Sequence, residues 1–155
     1  MEAQTGTSLL APLIFAVVIV LVLFMSWSWA KQGAAQERTR KINIMRDHAS
    51  RITSLVHRYK FSFNNASELL HELNARHLWQ KFYDPYTSYH GRPEDVAIVD
   101  VDHNGQAEPD AGINVRLLRS SLGLYRGGDG FCFFIYSNKG QIAHQTPIIE
   151  YPKIT

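Results

Sequence analysis

Acidic and amide side chains alternate along residues 100–110 (DVDHNGQAEPD) in a pattern that suits a hard cation. Oxygen ligands at every second position can converge on one ion when the chain curls, and Gly105 permits the sharp turn. The candidate ligands are Asp100, Asp102, Asn104, the carbonyl of Gln106, Glu108 and Asp110. Because Ca²⁺ is bound by clusters of such oxygen ligands, this loop is a candidate calcium site.

The loop departs from the EF-hand pattern in its last ligand and in its flanks. An EF-hand has a bidentate glutamate at the last loop position, where this chain has Ala111. The preceding residues 96–101 (VAIVDV) favour a strand rather than a helix. Two interpretations stay open: a calcium loop between strands, and a β-hairpin in which Asn104 and Gly105 form a tight turn and the aspartates are solvated.

Groups for hydrolytic or redox chemistry do not converge in this sequence. His71 and His77 in HELNARH are six residues apart, so on a helix they point to different faces and cannot form the histidine pair of a zinc protease. Cys132 is the only cysteine and lies in the apolar run FCFFIY, which predicts a buried small side chain rather than a nucleophile. We therefore predict that the protein is not an enzyme.

An uncharged apolar stretch covers residues 9–30 and ends with Trp27 and Trp29, followed by Lys31. A helix of this length spans about 33 Å, slightly more than the hydrocarbon core of a bilayer. Tryptophan favours the membrane interface, and a lysine reaches the headgroups. The preceding residues MEAQTGTS carry no Lys or Arg, unlike a cleaved secretory signal. We predict a retained transmembrane helix.

Residues 31–60 continue this helix as an amphipathic extension. Apolar residues recur at spacings of three and four, which gives one stripe: Ile42, Met45, Ala49, Ile52, Val56 and Tyr59. Gly33 costs about 1 kcal/mol inside a helix, so a separate core helix after a short linker is the alternative. All 16 Lys and Arg residues, and all but one of the 14 Asp and Glu residues, follow residue 30. The outer part is therefore only weakly basic and lacks the dense basic face of a nucleic-acid-binding protein.

The C-terminal part of the sequence predicts an α+β domain. Asn65 with Glu68 is typical of a helix start, and this second helix is predicted to reach Phe82. Residues 83–95 are predicted to be a loop. Short β-branched or aromatic segments predict antiparallel strands at residues 96–101, 113–118, 131–137 and 142–149, although residues 116–125 also suit a short helix. SNKG favours a hairpin, and Pro147 is expected to place the last strand at an edge or to end it there.

These elements divide the chain into four parts. They are a short N-terminal segment (1–8), a transmembrane helix (9–30), an amphipathic helical extension (31–60) and a small α+β domain (61–155). We predict that the helices pack on one face of a small antiparallel sheet.

The first residues, MEAQTGTSLLAPLIF, are similar to the precursors of type IV pilins and of type II secretion pseudopilins. Gly6 corresponds to the end of a short leader, and residues 7–10 (TSLL) correspond to the start of the mature chain. The resemblance implies a helix that leaves the membrane, packs on an antiparallel sheet and assembles with other subunits. Some pseudopilins also carry a calcium loop in their C-terminal region, where residues 100–110 lie in this chain.

Two positions depart from the pattern of that family. Thr5 stands where the family has a lysine or arginine before the glycine. Ala11 stands where it has a glutamate five residues after the glycine. Because that glutamate is associated with subunit assembly, the chain resembles a minor, tip-located or noncanonical component.

Two sets of observations favour opposite orientations of the chain in the membrane. Basic residues follow the span and none precede it, so the positive-inside rule favours a cytoplasmic domain. The acidic loop and the family resemblance favour an exported domain. We predict a single-pass membrane protein with a periplasmic or extracellular domain, and the cytoplasmic orientation is the alternative.

These observations predict a membrane-anchored, non-enzymatic pilin-like or pseudopilin-like subunit or accessory of a filament or secretion assembly. Its predicted partners are membrane lipid and other helices or subunits, including copies of the same chain, and no nucleic acid. The alternative is a bitopic membrane protein whose soluble domain is a binding module of a larger membrane complex.

Overall fold

The computed structural model describes residues 7–78, 81–91, 98–106, 121–137 and 140–152. The chain divides into two compact units, Met1–Thr39 and Arg40–Thr155. Helix α1 begins in the first unit and ends in the second, and every other helix and strand among the described residues belongs to the second.

Helix α1 covers Thr7–Tyr59, a length of 53 residues. The predicted extension of the apolar helix through Tyr59 is confirmed, and the chain does not break at Gly33. The cost of a single helical glycine is small, and Ala34 and Ala35, which follow it, are the strongest helix formers.

The second half of α1 forms part of the domain core. Met45, Ala49, Ile52 and Val56 from the predicted stripe are at most 1% exposed. Tyr59, at the end of the stripe, is 42% exposed. The four buried residues belong to one apolar cluster with the second helix and the main sheet, which is the arrangement that amphipathic spacing predicts.

Helix α2 covers Ala66–Ala75 and ends well before Phe82, so the predicted end was wrong. His77 takes a left-handed φ of +52°. Its N–H donates to Asn74 O over 2.9 Å, and Leu78 N–H donates to Leu73 O over 3.1 Å. This pair of hydrogen bonds is the Schellman motif that closes a helix, and here a histidine occupies the position that glycine usually takes.

The start of α2 follows the prediction closely. The Asn65 side chain accepts a hydrogen bond from Glu68 N–H over 2.8 Å. The Glu68 carboxylate reaches back to Asn64 N–H over 2.7 Å. The reciprocal capping pair therefore forms, with the glutamate bonded one residue earlier than in the usual capping box.

Residues 82–91 form a β-hairpin, where a loop was predicted. Strands β1 (Phe82–Asp84) and β2 (Tyr89–Gly91) pair in antiparallel register. Each strand has only three residues, so neither shows the alternation that identifies a strand in sequence. Phe82 is buried in the main apolar cluster, which docks the hairpin on the domain.

The main sheet contains five of the described strands. Their bounds are β3 Val99–Asp100, β4 Leu122–Gly127, β5 Gly130–Tyr136, β6 Ile142–Gln145 and β7 Ile149–Glu150. The order is β3-β4-β5-β6, and β7 also pairs with β5. The hairpin predicted from SNKG is confirmed as the antiparallel pair β5–β6, and β6 ends before Pro147 as expected.

The prediction of a purely antiparallel sheet was wrong, because β3 pairs with β4 in parallel. A parallel pair requires a crossover rather than a tight turn. The chain between these strands includes residues 107–120, so the strand predicted at 113–118 lies outside the described residues. The fold class α+β is confirmed in its coarse form, with a mixed sheet.

Strand β5 is the centre of the domain, and all seven of its residues are buried. Phe131, Phe133 and Ile135 point into the cluster that contains both helices. Cys132 and Phe134 belong to a second, smaller cluster with Val101 and Tyr136, and the partly buried Tyr125 packs against it. Because both faces of β5 are covered, its sequence is a continuous apolar run rather than an alternating one. Cys132 is buried, as predicted.

Candidate functional site

The first candidate functional surface is the apolar part of α1. Its large hydrophobic side chains from Leu10 to Trp29 are between 43% and 69% exposed. Among the described residues, α1 is the one helix long and apolar enough to cross a membrane. Such a surface is unfavourable in water by about 25 cal/mol per Å² and is expected to be covered by lipid or by other apolar helices.

Polar groups in this part of α1 are arranged as a membrane helix requires. The Ser26 hydroxyl donates to Val22 O over 2.8 Å, so its hydrogen bond is made within the helix. The Lys31 ammonium lies 3.7 Å from the centre of the Trp27 ring. An aromatic ring beside a cationic head group suits the membrane interface, where one end of the pair is apolar and the other is hydrated.

The described half of the predicted calcium loop is held by internal hydrogen bonds. Asp102 Oδ1 accepts from Asn104 N–H over 2.9 Å and from Gln106 N–H over 2.8 Å. The carbonyl of Gln106 accepts from Asp102 N–H over 2.7 Å. Asp100 Oδ1 instead accepts from Ala66 N–H over 2.8 Å, at the first turn of α2. These oxygens therefore close the turn and cap a helix, which their spacing in sequence did not indicate.

Packing against the second cluster also fixes this loop. Gly105 has a φ of +75°, and a Cβ there would lie 2.9 Å from Phe134 Cε1. The Tyr136 hydroxyl donates to the carbonyl of Gly105. Burial, together with the Asp102 carboxylate, raises the pKa of Tyr136 to about 12, so the hydroxyl keeps the proton that it donates. The turn therefore packs against the second cluster, on the face of the sheet opposite the helices.

Calcium binding stays a prediction. In the part of the chain that the structure describes, no three His, Cys, Asp or Glu side chains are grouped to hold a metal ion. Glu108 and Asp110 lie outside the described residues. If the loop binds calcium, millimolar calcium should raise the melting temperature of the full chain in detergent, because a ligand that binds only the folded state stabilises it. Equal melting curves in calcium and in a chelator would remove the prediction.

A buried carboxylate that the sequence did not indicate joins β1 to the main sheet. Asp84 is fully buried. Its Oδ1 accepts from Tyr86 N–H over 2.9 Å and from Thr87 N–H over 3.4 Å. Its Oδ2 accepts a hydrogen bond from Ser121 N–H. The signal for the first two bonds is the Asp-Pro pair at residues 84–85, which is typical of a turn closed by an aspartate side chain. The third bond is with a residue 37 positions later.

No family model matches this chain, and no curated protein or solved structure is significantly similar to it. Its function must therefore be inferred from its own residues. The exposed apolar helix can take part in membrane insertion and in helix–helix association. The described loop residues and the buried Asp84 are held by hydrogen bonds within the domain.

The second half of α1 also contains a buried histidine, His48, which is 8% exposed. Its Nε2 lies 3.0 Å from Tyr83 O, and its ring lies 4.6 Å from that of Phe82. Burial lowers the pKa of His48 from its ordinary value of 6.5, against the opposing hydrogen bond to Tyr83. The side chain therefore favours the neutral form and donates from Nε2 to the carbonyl.

The stability of the domain is expected to fall as the pH falls below about 6.5. The unfolded state takes up a proton at the ordinary pKa of 6.5, whereas folded His48 takes it up only at lower pH. His144 has a pKa lowered by burial and by Arg46, so it acts in the same direction. Urea unfolding of the full chain in detergent, followed by near-ultraviolet circular dichroism between pH 7.5 and 5, measures this slope.

The His48→Gln variant should show a smaller loss of stability with falling pH. The matched control is His57→Gln, a change at an exposed residue of the same helix. If both variants reduced the slope equally, the assignment to His48 would be wrong.

Proposed function

We propose that this chain is a membrane-anchored, non-enzymatic subunit or accessory of a pilin-like or pseudopilin-like assembly. In this proposal, residues 9–30 lie in the bilayer or pack against the same segment of other subunits. The domain from Arg40 onward faces the periplasm or the exterior and presents the surface of the assembly. The main observation in support is the contrast within α1. The apolar side chains of its first half are exposed, whereas the apolar stripe of its second half is buried in the domain core.

The contrast between the halves of α1 supports this proposal. Val20 and Leu23 are each 64% exposed, whereas Ile52 and Val56 on the same helix are 0% exposed. An apolar helix that only completed a soluble core would be buried along its length. A helix whose first half requires lipid or neighbouring helices, and whose second half carries a domain, suits a subunit that leaves the membrane to join an assembly.

The N-terminal sequence adds independent support for processing. Gly6 precedes the apolar helix in the position of a leader end, and Thr7 would be the first residue of the processed chain. The departures at Thr5 and Ala11 favour a minor or tip-located role over that of a major repeating subunit. Basic residues after the span favour the cytoplasmic orientation, so topology is a separate outcome of the test.

We expect the native chain to be cleaved after Gly6 and to begin at Thr7. Mass spectrometry of the intact protein purified from its own membranes measures this directly. The variant Gly6→Val should block cleavage, while Gly33→Val, a glycine replaced outside the leader, should leave it unchanged. A reporter fused after Thr155 should be active only in the exported compartment.

Recovery of an intact Met1 end together with a cytoplasmic reporter would contradict the proposal. That result would favour a bitopic protein whose domain acts as a binding module in a larger membrane complex. Its anchor would be the same helix, so membrane association alone does not separate the two functions.

A further inference from the structure

A groove of about 490 Å³ lies between the second half of α1 and the segment from β6 to β7. One wall is a polar stripe of the helix, and the other is the edge of the sheet. The helix wall includes Asn43, Arg46, Ser50 and Thr53, and the sheet wall includes His144, Thr146 and Ile149. All of these residues belong to the unit Arg40–Thr155, so the groove is a feature of the domain itself.

The charge in the groove favours an anionic group. Arg46 lines it from the helix wall and His144 from the sheet wall, and burial, together with the Arg46 charge, lowers the pKa of His144. Asp47 also lines the groove, but its carboxylate is paired with Arg51 over 2.9 Å. A carboxylate placed between Arg46 and His144 would accept hydrogen bonds from both, and the guanidinium offers the geometry that carboxylates prefer.

On the edge of β6 that does not face β5, main-chain N–H and C=O groups point outward in the plane of the sheet. His144 is opposite Ile135 in β5, and Thr146 N–H donates to Phe133 O over 2.9 Å. In an antiparallel ladder, alternate residues direct their N–H and C=O to the same neighbour, so those of the intervening Gln145 point the other way. Within the described residues, no strand pairs with that edge of β6.

The dimensions of the groove fit an extended peptide. The helix wall from Asn43 to Ser54 rises about 17 Å, which is the length of about five residues in a β-strand. The hydroxyls of Thr53 and Ser54 donate to helix carbonyls and so keep lone pairs that can accept from a ligand. A strand added beside β6 would direct every second side chain towards α1, because His144 itself lies on that face.

We propose that this groove binds an extended acidic segment of a partner protein, which pairs with the edge of β6 and places a carboxylate between Arg46 and His144. This mode gives affinity through main-chain hydrogen bonds and specificity through the side chains that enter the groove. The site lies wholly in the domain, so it stands whether or not α1 assembles in a pilin-like filament.

The test uses the full chain in detergent micelles and fluorescein-labelled peptides, with binding followed by fluorescence anisotropy. The probe is acetyl-Thr-Val-Glu-Val-Thr-amide, whose central glutamate would face Arg46. We expect saturable binding that weakens about tenfold when the glutamate is replaced with glutamine, since a charge-assisted hydrogen bond contributes more than a neutral one. N-methylation of the two valines should also abolish binding, because it removes main-chain donors.

The protein variants separate the groove from general attraction. Arg46→Gln should weaken binding of the probe about tenfold. Arg58→Gln makes the same charge change at an exposed position of α1 that does not line the groove, and it should leave binding unchanged. Circular dichroism of both variants checks that the fold is retained.

Several results would overturn the proposal. They are absence of saturable binding at millimolar peptide, equal affinities for the glutamate and glutamine probes, and equal losses in Arg46→Gln and Arg58→Gln. Full displacement of the probe by millimolar acetate, with no effect of N-methylation, would identify a simple anion site and would also exclude strand addition.

Discussion

Replacing Asp84 with alanine is expected to destabilise the domain by about 3 kcal/mol or more, because a buried N–H that loses a charged acceptor is left without compensation. The carboxylate accepts from three main-chain N–H groups, those of Tyr86, Thr87 and Ser121. The side chain is fully buried, so water does not replace it readily. Its loss would release both the turn of the β1–β2 hairpin and the chain that enters β4.

Asp84→Asn should cost less than Asp84→Ala. An amide keeps one acceptor oxygen, but its NH₂ group meets an N–H donor at either the turn or Ser121. Urea unfolding of the full chain in detergent gives the free energy of unfolding for each variant. The matched control is Asp47→Ala, which removes an exposed ion pair with Arg51 and should cost about 1 kcal/mol or less. Equal losses at Asp84 and Asp47 would contradict the structural role of the buried carboxylate.

The sequence was informative where one element repeats a simple period. The spacing of Met45, Ala49, Ile52 and Val56 predicted a buried helix face, and all four are buried. The apolar run at residues 131–137 predicted a strand with a buried cysteine, and all seven residues of β5 are buried. In such segments several residues predict the same buried face, so the prediction holds although Gly33 disfavours a helix.

The sequence was uninformative where structure depends on distant partners. Asp100 caps a helix that begins 34 positions earlier, and its alternation with Asp102 suggested a common ligand instead. The direction of pairing between β3 and β4 is set by the connection between them, and local propensity does not report it. The end of α2 depended on His77 adopting a left-handed conformation, which is expected of glycine far more often.

The candidate site was predicted in part for the same reason. The apolar surface of α1 follows from composition alone, since residues 9–30 contain no charge. The groove beside β6 could not be predicted, because Arg46 and His144 lie almost a hundred residues apart in sequence and meet only when α1 packs on the sheet. Predicting the groove requires knowledge of the strand order as well as of the residue types.

Placing two arginines at the centre of the apolar segment, as in Val18→Arg with Leu21→Arg, is expected to prevent stable membrane integration. An arginine at the centre of a membrane helix costs about 3 kcal/mol on insertion scales. The two arginines together therefore offset much of the favourable insertion free energy of the remaining apolar residues. Alkaline carbonate extraction of membranes measures the effect, and most of the double variant should enter the soluble fraction. The control Gln36→Arg, at an exposed residue of α1 after the span, should remain with the membrane.

Both positions lie outside the core of the domain, whose buried clusters begin at Met45. The near-ultraviolet circular dichroism of the extracted double variant should therefore match that of the native chain. If the double variant resisted extraction as the native chain does, residues 9–30 would not be the anchor. If instead the variant lost its near-ultraviolet signal, the apolar half of α1 would contribute to folding of the domain, and its exposure would need a cause other than lipid.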